Sequence, residues 1–91
     1  MKYRSNLDIF DDILEAANES GGTVRTKIMY RAFLSHTQLK KYLQALSEKD
    51  LVRYDLDALT FKTTQKGLEF LDTYNWLSNA IKAHQQQQQP Q

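Results

Sequence analysis

At 91 residues, with 41% hydrophobic and 25% charged residues, the chain has the composition of one soluble globular unit rather than of a disordered segment. It contains no cysteine, which excludes a disulfide framework or a thiolate metal site. No apolar run approaches the roughly eighteen residues of a membrane-spanning helix, and no signal-peptide core is present. The formal net charge of +1 hides a strong segregation. Residues 6–22 carry five acids (Asp8, Asp11, Asp12, Glu15, Glu19) and no base, whereas residues 23–42 carry five bases (Arg25, Lys27, Arg31, Lys40, Lys41) and no acid. A polyanion would sit against the second region, unless both are simply solvated helix faces.

The first helix is expected over residues 6–19. Ser5 and Asp8 form a capping-box start. Leu7, Ile9, Phe10, Ile13, Leu14, Ala16 and Ala17 fill one half of the helical wheel and the acids fill the other. Ser20-Gly21-Gly22 ends this helix in a turn. Thr23 and Val24 suggest a very short strand. A second helix follows over residues 25–33, with Ile28, Met29 and Ala32 facing inward.

Phe33-Leu34 forms the turn into a third helix, capped by Ser35 and Gln38 and running to residue 49. Its buried stripe is Leu39, Tyr42, Leu43 and Leu46. Opposite stand Thr37, Lys40, Lys41 and Gln44, with His36 at the edge. Residues 51–54 and 59–62 alternate with the period of strands around the loop 55–58, giving a hairpin. The last helix is expected over residues 64–83 and has two apolar sides. Leu68 and Leu71 lie on one. Phe70, Tyr74, Leu77 and Ile81 form a seam of coiled-coil spacing on another, with Trp76 nearby. One small core needs only one of these sides, so the seam predicts a homodimer interface. The Gln-rich segment 85–91 is expected to be disordered.

Two helices joined by a tight turn, then a hairpin, then a long helix, outline a mainly α fold with a small β-hairpin (α+β). That order is the sequence outline of a winged helix-turn-helix, in which the second helix of the pair usually enters a DNA major groove. Lys40 can donate to guanine O6/N7, Gln44 can pair with adenine N6/N7, and Thr37 can reach a base or a thymine methyl. Ser35, His36 and the free amides at the helix start suit a phosphate. Arg25, Lys27, Arg31 and Lys41 are candidate backbone clamps, and Arg53 and Lys62 could add contacts from the wing. Asp55 and Asp57 at the wing tip would repel phosphate, which argues against deep minor-groove insertion.

Catalytic chemistry finds little support. His36 and His84 have no carboxylate at metal-ligand spacing, so neither metal nor cofactor is expected. Adjacent Asp11 and Asp12 diverge by about 100° on a helix and make a poor acid/base pair. Ser35 and His36 are sequence neighbours, which is not a nucleophile–base geometry. Gly21, Gly22 and Gly67 are turn and close-packing glycines rather than a phosphate loop. The aromatic residues fall on core or seam positions and do not form a stacking platform for single-stranded RNA.

The run RTKIMYRAFLSHTQLKKYLQALSEKDLV and the later TTQKGLEFL resemble the small archaeal winged-helix proteins that act as transcriptional regulators or chromosomal DNA-binding proteins. The similarity spans residues 5–77. It implies double-stranded DNA as partner and pairing through the C-terminal helix, often as an antiparallel coiled coil, in a cytoplasmic, nucleoid-associated protein. It maps a DNA-binding domain to residues 1–63, with the recognition helix at 35–49 and the wing at 51–62, and a dimerisation helix to residues 64–84. Asp50 stands where such proteins commonly have glycine, a position an aspartate can fill in a left-handed conformation. The near-neutral net charge favours a promoter-selective regulator over an abundant chromosome coater. A winged-helix module that binds protein instead of DNA is the competing expectation, supported by the acidic first helix, the acidic wing tip and the apolar seam. Any effector ligand is unknown.

Overall fold

The computed structural model describes residues 3–88, with side-chain detail through residue 82. Helix α1 (Asn6–Ala17) begins at the expected capping box: Ser5 Oγ accepts from the Asp8 amide at 3.1 Å, and Asp8 Oδ2 accepts from the Ser5 amide at 3.0 Å. It ends two residues early, because Ser20 adopts φ 52° and residues Glu19–Gly21 tighten into a 3₁₀ turn. Helix α2 (Arg25–Arg31) and helix α3 (His36–Glu48) follow. Between them Phe33 is left-handed, at φ 56°, and Leu34 N–H donates to Met29 O at 3.1 Å. This six-to-one bond is a Schellman closure, which stops α2 short of the expected residue 33 and turns the chain into α3.

The same device ends α3. Asp50 has φ 61°, and Leu51 N–H donates to Leu46 O at 2.9 Å. Aspartate thus fills the left-handed position usually given to glycine. Leu51 is used in this closure, so strand β1 starts one residue later than expected, at Val52–Asp55, and pairs antiparallel with β2 at Thr60–Thr63. The short strand suspected at Thr23 is a single bridge to Phe61: Thr23 N–H donates to Phe61 O at 3.0 Å and Phe61 N–H to Thr23 O at 2.8 Å.

Helix α1 is the hub, packing against α2, β2 and α4. Ile13, Leu14, Ile28, Leu39 and Leu46 are fully buried, and this common core holds all three helices in place. Two threonines tie the elements down. Thr23 Oγ1 donates to Ala16 O at 2.6 Å, and Thr63 Oγ1 donates to Leu14 O at 2.7 Å. Their acceptors lie in the last turns of α1, where the threonine hydroxyls share the carbonyls with the Asn18 amide.

Helix α4 (Gln65–Gln88) starts where Thr64 Oγ1 accepts from the Gly67 amide at 3.0 Å and donates to Asp50 O at 2.7 Å. Gly67 is needed there, since a Cβ would lie 2.3 Å from Leu51 O and 2.6 Å from Thr63 Cγ2. Leu71 is buried and Leu68 half-buried against the core, as the first apolar side requires. The second side divides. Phe70 and Tyr74 are half-buried over α1, with Phe70 at 6.5 Å from Phe10 and the Tyr74 hydroxyl donating to Asp8. Leu77 and Ile81 are half exposed and Trp76 is 70% exposed. Helix α4 extends through Gln88, glutamine being a good helix former, so the first part of the Gln-rich segment continues the helix. The expectation of disorder at its end falls on residues 89–91, outside the described residues.

Candidate nucleic-acid interface

Burial of Leu39, Leu43 and Leu46 in the common core fixes the rotation of α3 about its axis. Thr37, Lys40, Lys41 and Gln44 therefore all face solvent, as their spacing predicted. No acidic side chain pairs with Lys40 or Lys41 among the described residues. Lys40 and Gln44 stand one turn apart, about 6 Å along the axis, close to the spacing at which one helix contacts successive base pairs.

The N-terminus of α3 is more occupied than the sequence suggests. Ser35 Oγ accepts from the Gln38 amide at 3.1 Å, and the Ser35 amide donates to Gln38 Oε1 at 2.9 Å. Ser35 thus stabilises the helix end and has its groups engaged. The His36 and Thr37 amides remain as first-turn donors outside the helical ladder. Arg25 Nη2 donates to His36 O at 3.3 Å, which sets a guanidinium beside those amides. Two unpaired amides and a guanidinium thus meet at the positive end of the helix.

The other expected clamps divide by their partners. Glu19 Oε1 lies 3.2 Å from Arg31 Nη2 and 3.6 Å from Lys27 Nζ, so one carboxylate holds both bases of α2. On the wing, Lys62 Nζ pairs with Asp55 Oδ2 at 2.8 Å, whereas Arg53 is exposed and has no ion-pair partner among the described residues. Of the expected DNA-contacting bases, Arg25, Lys40, Lys41 and Arg53 have no ion pair among the described residues.

Asp55 changes the picture of the wing tip. Beyond its ion pair, Asp55 Oδ1 accepts from the Asp57 amide at 2.9 Å and the Ala58 amide at 3.1 Å. Lys62 and these amides hold its carboxyl down to about 2. Its negative charge is spent inside the turn, and Asp57 alone carries the acidic character of the tip.

Two contributors escaped the sequence reading. By spacing Glu19 belongs to the acidic face of α1, but the turn at Ser20 brings it to Lys27 and Arg31 of α2. Lys27 and Arg31, four residues apart, mark the face it would meet. Arg4 donates to Asp12 Oδ2 at 2.9 Å, Ala32 O at 2.7 Å and Phe33 O at 3.3 Å, which anchors the N-terminal segment to the α2–α3 turn. Nothing local distinguishes Arg4, because its partners lie 8, 28 and 29 residues away.

Away from the basic face, the acids of α1 meet α4. The Tyr74 hydrogen bond lowers the Asp8 carboxyl below its ordinary value and raises the phenol to about 12. Burial, reinforced by the Glu15 carboxyl, pushes Asp11 up to about 7, and Asp11 Oδ1 has no hydrogen-bond partner among the described residues.

A three-helix core, a tight turn into an exposed polar helix, and a hairpin directly after it define the winged helix class. The winged helix-turn-helix family model matches residues 3–82, and the chain belongs to that family. The structure is similar to that of Sso10a-2, a DNA-binding protein from Sulfolobus solfataricus. The TM-score is 0.61, with 19% identity, over 97% of this chain and 100% of that one. At that identity the likeness concerns the fold. No curated protein sequence matches.

Proposed function

We propose that this protein is a sequence-specific, double-stranded-DNA-binding transcriptional regulator that acts as a homodimer, with α3 in the major groove. The observation that carries this reading is the solvent-facing quartet Thr37, Lys40, Lys41 and Gln44 on a helix whose opposite face is locked into the core. Lys40 and Gln44 supply base-edge readout, while Arg25, Lys41 and Arg53 hold phosphates. DNA binding by the structurally similar Sso10a-2 supports the choice of ligand.

Pairing runs through α4. With Phe70 and Tyr74 partly committed to α1, the seam centres on Leu77 and Ile81, and Leu7, 53% exposed, lines the same groove. Phe70 and Tyr74 then serve mainly to set the angle at which α4 leaves the domain. Two copies would present two recognition helices to half-sites separated by a whole number of helical turns. No helix among the described residues is long and apolar enough to cross a membrane. Association with the nucleoid follows from the proposed ligand.

Selection of bound fragments from random duplexes tests this directly, since it reports binding and preference together. Replacing Lys40 and Gln44 by alanine should flatten the selected sequence, each lost bidentate contact costing about 1–3 kcal/mol of discrimination. An unchanged selected sequence would remove α3 from the readout. Failure of wild-type protein to shift duplex at low salt, alongside capture of a protein partner, would favour the interaction-module reading, which the Glu19 pairing of Lys27 and Arg31 also fits.

A further inference from the structure

A groove of about 450 Å³ lies where the end of α3 meets the first turns of α4, lined by Lys49, Leu51, Lys66, Glu69, Phe70 and Thr73. Leu51 and Phe70 make its apolar floor, and both are fixed in place. Leu51 N–H donates to Leu46 O at 2.9 Å, and Leu51 O accepts from Thr64 N–H at 3.0 Å. Phe70 packs edge-on to Phe10, with ring centres 6.5 Å apart, and stacks on Tyr74 at 6.1 Å. Gly67, next to Lys66, lets α4 lie directly against the Leu51 carbonyl. That close approach brings Lys66 and Phe70 to the side of Lys49, the C-cap of α3. The groove is therefore formed before any ligand arrives, and its size falls within the range of small-molecule sites.

We infer that this groove binds a compact monocarboxylate with an aromatic or branched apolar body. Charge selects the anion. Lys49 and Lys66 are exposed at the rim and have no ion-pair partner among the described residues. Glu69 is the one acid among the lining residues. Two cations against one carboxylate leave a single positive charge at the mouth, which suits a monoanion better than a dianion. Leu51 and Phe70 take the apolar body, and the Thr73 hydroxyl can donate to a carboxylate oxygen. An apolar floor with a few polar groups at its edge is the arrangement that orients a small amphiphilic ligand.

The site stands apart from the duplex-binding reading, and only its regulatory consequence rests on that reading. Lys49 closes α3, which carries the exposed quartet, while Lys66 and Phe70 belong to α4, through which pairing is proposed. A carboxylate held by both lysines ties the end of the recognition helix to the start of the pairing helix. The pairing seam begins about one turn beyond Thr73, so the ligand sits at the joint between domain and seam. Where duplex binding moves that joint, ligand and duplex alter each other's affinity by the same factor.

The test titrates the full chain with 4-fluorophenylacetate at constant ionic strength, read by the ligand's fluorine resonance and the protein's amide resonances. Binding should saturate with a Kd of about 1 mM or below, and the shifts should centre on Lys49, Leu51, Lys66 and Thr73. The neutral 4-fluorophenylacetamide should bind about tenfold more weakly or worse, having lost the charge-assisted contacts. Lys49→Gln and Lys66→Gln should each weaken the acid by about tenfold at an unchanged melting temperature, since both lysines are exposed. Thr73→Trp, which fills the groove from its exposed rim, should abolish binding and leave the fold intact. Absence of saturation, equal binding of acid and amide, shifts centred on Lys40 and Lys41, or binding untouched by Thr73→Trp overturns the site. So does loss of binding at protein concentrations where light scattering shows a dimer, which assigns the groove to a second copy. Each of these results leaves the duplex reading standing, and absence of a duplex shift leaves the carboxylate site standing.

Discussion

If the proposed duplex binding holds, replacing Glu19 by glutamine should make it tighter and more salt-sensitive. The Glu19 carboxylate now occupies both Lys27 and Arg31, at 3.6 and 3.2 Å. Its backbone carbonyl accepts from Gly22 N–H at 3.0 Å and from Thr23 Oγ1 at 3.3 Å, and these bonds survive the substitution. The turn should therefore keep its shape. With Arg25, Lys41 and Arg53 on phosphates, a dimer neutralises about six of them, and log K should fall against log salt with a slope of about −5. Freeing two more cations per protomer should steepen the slope to about −9. The loss in folding stability should be small, about 1 kcal/mol or less for each of these exposed pairs. Fluorescence anisotropy of a labelled duplex, titrated across salt concentrations, measures both slopes. Equal slopes for wild type and Glu19→Gln would refute the reasoning, because Lys27 and Arg31 would then either reach phosphate despite Glu19 or never reach it.

Gly67→Ala should destabilise the domain by about 1–3 kcal/mol or more, since its Cβ would overlap Leu51 O and Thr63 Cγ2. Thermal unfolding reads this, and a melting temperature equal to wild type would contradict the packing at the start of α4. Asp11 makes stability depend on pH in a known direction. Its carboxyl is raised from 3.8 to about 7, so the folded state binds more protons than the unfolded state between these values. Stability should fall as pH rises from about 4 to about 7. Asp11→Asn should flatten that dependence and be the more stable protein at pH 8, as urea titrations at several pH values can check; a wild-type profile free of any such fall would count against the buried carboxyl. Leu77→Asp places a charge in the proposed seam, where wild type exposes leucine at 48%. Light scattering should show a dimer for wild type and a monomer for the variant, and equal masses would discount α4 pairing through this residue.

The sequence marked the helices and both capping boxes because these are local: periodicity and side-chain caps act within a few residues. The exposed quartet on α3 was legible for the same reason, since the positions of Leu39, Leu43 and Leu46 dictate which face remains outside. Helix ends were less legible. Ser20, Phe33 and Asp50 all adopt left-handed conformations, and of these only Asp50 belongs to a residue type that tolerates them readily.

What lay beyond the sequence was the partnership of side chains brought together by the packing of distant elements. Lys27 and Arg31 look like free clamps until the turn after α1 places Glu19 between them. Asp55 looks repulsive to phosphate until the hairpin register sets Lys62 beside it. Phe70 and Tyr74 look like seam residues until α1 supplies Phe10 and Asp8. Whether a charge or an apolar face is available depends on its neighbours in space, which the backbone assembles from positions up to 66 residues apart.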